Sequence, residues 1–197
     1  MFRWVMGFSL LSLGFVSSAH ADQDTLNTSL RHAARQGLLQ DVQKLLAEGA
    51  QVDAPAAYGH TALLYAALYG HTRVVRELLA NGAAVNRTDY DDNTPLMMAA
   101  QNCNNRTVAA LLGAGASVNL ENHHGSTALT LAVDKNCLMT VGFLMRMPGI
   151  DTRHRDDWGK SALDYAREGQ LEIGSAFIES LKILKAGPRS SDQSRRP

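Results

Sequence analysis

The sequence predicts an all-α solenoid, a stack of about five helix–turn–helix units. Three observations predict it. Thr28, Thr61, Thr94 and Thr127 recur at intervals of 33 residues, and Ser161 follows at 34. Behind each threonine from Thr61 on comes a run with small residues, such as Ala66-Ala67 or Ala99-Ala100, and then an apolar stripe such as Val74, Val75, Leu78 and Leu79. Glycines then recur at one place in the units, at Gly49, Gly82, Gly115 and Gly149. A short helix, a turn and a second amphipathic helix, repeated at a fixed period, cannot each bury an apolar face alone and must stack.

The elements follow in order. Thr61 is placed to cap a short inner helix over residues 62–68, because its hydroxyl can accept from an amide of the first turn. Ala66 and Ala67 let neighbouring inner helices approach, and Leu63 fills the space between them. The spacing of Val74, Val75, Leu78 and Leu79 gives the outer helix one apolar face. Gly82 ends it in a left-handed conformation that favours glycine. Asp53, Asn86, Asn119 and Asp151 suit side-chain-to-backbone bonds that fix the turn after them. Arg31, Arg35, Gln36, Gln40 and Gln43 in the first unit, and Glu168, Gln170, Glu172, Glu179 and Lys182 in the last, are expected to wet the outward faces of the two end caps.

Composition bounds the partners. Hydrophobic residues make up 45% and charged residues 19%, so a packed core is expected rather than disorder. Lys plus Arg equal Asp plus Glu at 19 each. With no net charge there is no electrostatic signal for nucleic acid or an anionic membrane, and neither is an expected partner. The first residues stand apart: Arg3 precedes a nearly apolar run from Trp4 to Val16, and Ser17 to Ala21 offers a small-residue cleavage site. That layout predicts a signal peptide over residues 1–21, an exported mature chain and no membrane insertion after cleavage. Residues 186–197 are expected to be a disordered tail.

The motifs carry a family resemblance. Thr94-Pro95-Leu96, the paired alanines, Leu78-Leu79 with Leu111-Leu112, and the Gly-Ala-x-Val-Asn runs ending at Asn86 and Asn119 all stand at the offsets of the ankyrin repeat. The chain resembles that family over roughly residues 26–185, with units at about 26–56, 57–89, 90–122, 123–156 and 157–185. The resemblance implies antiparallel helix pairs with loop or hairpin fingers projecting from one edge. One departure is plain: the histidine usual after Thr-Pro-Leu is replaced by Leu64, Met97, Thr130 and Asp164. The hydrogen-bond relay that this histidine supports in the family is therefore missing.

Chemistry is harder to find. The sequence has no hydrolase elbow, phosphate-binding glycine loop or His-Glu-x-x-His motif, and it predicts a protein that is not an enzyme and takes no cofactor. His123, His124 and His154 could gather at one edge, yet their spacing fixes no third ligand, and no metal is expected. Cys103 replaces the glycine that ends an inner helix, and Cys137 stands one residue past the same place in the next unit. Stacked units lie about 10 Å apart while a disulfide needs Cα atoms within about 7 Å, so the corners would have to lean together. An even cysteine count in an oxidising compartment favours that bridge.

In an ankyrin stack the variable positions fall on the finger tips and on the exposed side of the inner helices. Those offsets select Ala57, Tyr58, His60, Tyr90, Asp91, Asn93, His123, His124, Ser126, Asp157, Trp158 and Lys160 on the fingers. On the helices they select Arg35, Gln36, Leu68, Tyr69, Gln101, Asn102, Asp134 and Lys135. Tyrosine and tryptophan are frequent interface anchors, which makes Tyr69, Tyr90 and Trp158 the leading candidates. The expected function is protein binding by a monomer in the periplasm. Small exported ankyrin proteins of Gram-negative bacteria, which the chain also resembles, imply support of an exported enzyme such as a catalase in peroxide defence. An immunity or inhibitor protein against a toxin acting in the periplasm is the alternative, and metal handling by the three histidines is the reading from another class. Secretion to the medium is the alternative location.

Overall fold

The computed structural model describes residues 13–168, with side chains from residue 22 onward. Among them are α1 (Leu13–Gln36), α2 (Leu39–Ala47), α3 (Ala62–Leu68), α4 (Thr72–Ala80), α5 (Pro95–Gln101), α6 (Asn105–Gly113), α7 (Ala128–Asp134), α8 (Leu138–Met145) and α9 (Ala162–Glu168). Inner helices α1, α3, α5, α7 and α9 stack in one row, and outer helices α2, α4, α6 and α8 form a second row behind it. The all-α solenoid is therefore present, as four complete pairs and the inner helix of a fifth among the described residues. The expected outer helix of the fifth unit, the expected cap residues Gln170, Glu172, Glu179 and Lys182, the expected tail and residues 1–12 of the expected signal peptide lie outside the described residues.

Local chemistry explains the inner helices. Thr61, Thr94 and Thr127 each cap the helix that follows, accepting from the amides of Leu64, Met97 and Thr130 at 3.2–3.3 Å. Pro95 occupies the first position of α5, where an amide would have no partner. Ala66, Ala67, Ala99, Ala100 and Ala132 are fully buried, as the close approach of neighbouring helices demands. Leu30, Leu63, Leu64, Leu78, Leu96, Leu111, Leu129 and Leu144 line one continuous core that runs the length of the stack. Gly49, Gly82, Gly115 and Gly149 all take positive φ after the outer helices, as predicted.

One expectation needs correction. Asp53, Asn86 and Asn119 do not fix their own turns; they accept from Ala84, Ser117 and Asp151, one unit further on. The amides in their own turns are already taken, Ala54 by Gln51 and Arg87 by Ala84. Only Asp151 makes a local bond, from Arg153. Arg35 and Gln43 are exposed and also reach the second unit: Arg35 lies over the rings of Tyr65 and Tyr69, and Gln43 donates to Glu77. Helix α1 begins at Leu13, so the expected cleavage site after Ala21 lies within it.

The corners between inner and outer helices are where the units are joined. Gly37, Gly70, Cys103 and Asn136 share one place in the repeat, and all have positive φ. The residue after each one caps the outer helix: Leu38, His71, Asn104 and Cys137. Each capping residue from His71 on reaches back to the preceding unit. His71 Nε2 lies 3.0 Å from the Arg35 carbonyl, and its ring fills the space where a Gly37 side chain would be. Asn104 donates to the carbonyls of Ala67 and Leu68, and its amide fills the space over Gly70. At the third corner the same two places hold Cys103 and Cys137, with Cα atoms 5.0 Å apart, at disulfide distance. No special leaning is involved. The contact exists at each of these corners, and cysteine uses it differently.

Candidate functional site

The fingers are built on an acid or amide that the sequence reading passed over. Asp89, Asn122 and Asp156 stand at the same place in successive units. The Oδ1 atom of Asp89 accepts from Asp91 and Asn93, that of Asn122 from His124 and Ser126, and that of Asp156 from Trp158 and Lys160. Each finger tip is thereby a closed loop around one oxygen. The signal was available in the sequence, since 89, 122 and 156 keep the unit spacing. Neighbouring fingers are joined by single backbone bonds: Tyr90 donates to Tyr58, His123 to Asp91, and Asp157 to His124.

This line of loops brings together most of the finger residues selected from sequence. Tyr58 is 75% exposed, Tyr90 70% and Trp158 61%. Tyr90 lies against Gly59 of the preceding finger, and Trp158 meets the His124 ring at 5.4 Å. Both aromatics thus rest one edge on a neighbour and keep the larger part of their surface open. His123 stands beside Asp92 at 3.3 Å, and Asp91 and Asp157 are exposed. Four selected residues are committed to the scaffold instead. His60 is half-buried against Asp89, with its ring edge on Tyr65, and Asn93 donates to Asp89 while accepting from Asn122. Ser126 is buried and Lys160 pairs with Glu168.

The inner-helix residues form a separate row. Tyr69, Asn102 and Lys135 are the C-terminal caps of α3, α5 and α7. A seven-residue helix puts them about 10 Å from the finger end. Tyr69 is 46% exposed and lies between Arg35 and His71, the two rings stacked at 6.3 Å. Asn102 bonds to the Met98 carbonyl, Gln101 reaches the Met98 sulfur, and Asp134 pairs with Lys135. Leu68 is half-buried. Gln36, Ala57, Asn102, Asp134 and Lys135 are exposed. Arg35 and Tyr69 are brought together; the rest of this row stays separate from the finger tips.

The three candidate metal-ligating histidines and the acid of the last inner helix are occupied with structure. His154 bonds to the Gly125 carbonyl and stands 3.4 Å from Glu121, so His123, His124 and His154 turn to three different partners. No three potential metal ligands gather among the described residues. Asp164, at the place of the family's histidine, accepts from the Ser161 amide and hydroxyl and from Arg155, which lowers its carboxyl pKa to about 2. Burial pushes the Tyr165 phenol well above its ordinary value, and its hydrogen bond to Asp156 adds to the effect. Thr130 supplies the equivalent bond to Thr127, and the Met97 sulfur a weaker one to Thr94, so the missing relay is partly replaced by local caps.

Among the described residues no helix is long and apolar enough to cross a membrane. The family model of ankyrin repeats, in three copies, matches residues 30–122. No curated protein matches the chain.

Proposed function

The chain is an ankyrin-repeat protein over residues 30–122, a protein–protein interaction module of a generally non-catalytic kind, and from that premise we propose that it holds a partner protein by its finger tips in the periplasm. The observation that carries this reading is the open aromatic line of Tyr58, Tyr90 and Trp158 on a frame whose other large side chains are mostly packed away. The fingers of Tyr90 and Trp158 are closed around Asp89 and Asp156, and the Tyr58 carbonyl accepts from the Tyr90 amide, so little order has to be gained on binding. Exposed Asp91, Asp92 and Asp157 flank them and favour a basic partner. Tyr69, at the other end of α3, extends the surface toward the corners.

Export follows from the leader-like first residues, and support of an exported enzyme such as a catalase in peroxide defence is the role we favour within that compartment. A pull-down from the native envelope fraction tests both. Wild-type protein is compared with a Tyr69→Ala, Tyr90→Ala, Trp158→Ala variant of equal melting temperature. A protein recovered by the first and lost by the second supports the finger face, and its identity decides the role. Equal recovery by both sinks the assignment of these three residues.

A further inference from the structure

One groove lies away from the finger tips, where the corners give way to the outer helices. It encloses about 880 Å3 and crosses four units, from Gly37 to Phe143. Arg73, Arg76 and Arg106 line it, and all three are exposed. None of them has an ion pair or hydrogen-bond partner among the described residues, and none of the residues lining the groove is a carboxylate. Val74, Phe143 and Met139, the last 65% exposed, supply an apolar component.

The helix ends add to the positive charge. The first residues of α4 and α6 line the groove, and each of these helices has nine residues. His71 and Asn104 are their N-caps, yet neither side chain caps, because each is spent on the preceding unit. Amides of the first turns are therefore left without side-chain acceptors, at the ends where the helix dipoles are positive. Overall neutrality conceals this arrangement: carboxylates crowd the fingers while free guanidinium groups gather behind them.

We propose that this groove is a second docking surface, which takes an acidic peptide segment carrying apolar side chains. Charge complementarity selects the occupant. Three planar guanidinium groups pair with carboxylates beside the positive ends of two helix dipoles, and the Met139–Phe143 end receives an aliphatic or aromatic side chain. The proposal is independent of the finger-tip face, because it involves none of the residues assigned to that surface.

Fluorescence anisotropy with a labelled heptapeptide that alternates glutamate with leucine and phenylalanine provides the test. The wild-type chain is expected to bind it at least about tenfold more tightly than the same peptide with lysine for glutamate, and to lose affinity as salt is raised. Arg73→Ala, Arg76→Ala, Arg106→Ala should weaken binding about tenfold or more at unchanged melting temperature. Arg87→Ala, an exposed arginine outside the groove, and the Tyr69, Tyr90, Trp158 variant should leave it unchanged. Equal binding of both peptides overturns the proposal, as does full binding by the triple arginine variant. Displacement of the peptide by a DNA oligonucleotide at lower charge concentration overturns it in favour of a general polyanion site. A dimer in sedimentation that the arginine substitutions dissolve, with no peptide bound, assigns the groove to a second copy instead.

Discussion

The second and third corners of the stack solve one geometric problem with different chemistry. At the second, Gly70 leaves room for Asn104, which hydrogen-bonds two carbonyls of the unit before it. At the third, Cys103 and Cys137 occupy the same two places. In the first arrangement the missing Cβ makes space for a polar side chain. In the second the Cβ is present and becomes the first atom of the contact. The comparison teaches that a repeat fixes where units touch and leaves the nature of the touch free, so a hydrogen bond and a sulfur pair can serve the same joint.

Removing the sulfur contact should have the largest effect. A Cys103→Ser, Cys137→Ser variant is expected to lose about 2–4 kcal/mol of stability in denaturant titrations without reductant. Cys103→Gly with Cys137→Asn, which copies the second corner into the third, should recover part of that loss. If wild type melts identically with and without reductant, and non-reduced peptide maps show free thiols, the pair is unbridged and the contrast between corners disappears.

The second corner is sharpened by comparing two glycines. At Gly70, φ is 73° and an added Cβ would stand 2.6 Å from Asn104 Oδ1; at Gly82, φ is 84° with open space around it. Gly70→Ala is therefore expected to cost about 2–3 kcal/mol, combining backbone strain with displacement of Asn104. Gly82→Ala should cost only the strain, about 1–2 kcal/mol. Equal melting temperatures would mean that Asn104 moves aside freely and that the joint is not held there.

A smaller effect separates the caps of α7 and α9. Thr127 and Thr130 make an uncharged cap, whereas Ser161 relies on the carboxylate of Asp164. Because the folded pKa of Asp164 is held at about 2, below the ordinary 3.8, its contribution is complete above that ordinary value and fades as pH falls through about 2. Amide exchange in α9 should quicken across that window while α7 changes less, and Asp164→Asn should flatten the difference.

Much of this was legible in sequence because the repeat carries its own alignment. Thr61 and Gly82 announce helix ends by residue type, and the alanine pairs announce close packing. What the sequence hid was direction. Asp53 and Asn86 look like turn residues, since nothing local reveals that the turn amides are already bonded and that the next unit supplies the donor. Spacing placed Cys103 and Cys137 at neighbouring corners, but an average unit separation suggested too great a distance. The arginine groove escaped because charge was summed over the chain; Arg73 and Arg106 sit at one offset in successive units, and only folding sets them beside Arg76 and away from the acids. Repeat offsets mark both Tyr69 and Trp158 as exposed, which they are, yet helix length sets them in separate rows.

The sulfur pair at the third corner also has a mechanical meaning. Helices touch those of adjacent units, so a stack drawn out from its ends yields unit by unit, like a zip. Cys103 and Cys137 are 34 residues apart along the chain. Once bridged, that length is withheld from any extension, shortening the fully drawn chain by roughly 110 Å. Helices α6 and α7, which lie between the two cysteines, then form the stretch that force does not straighten, a clasp beyond which the remaining repeats can slacken and refold.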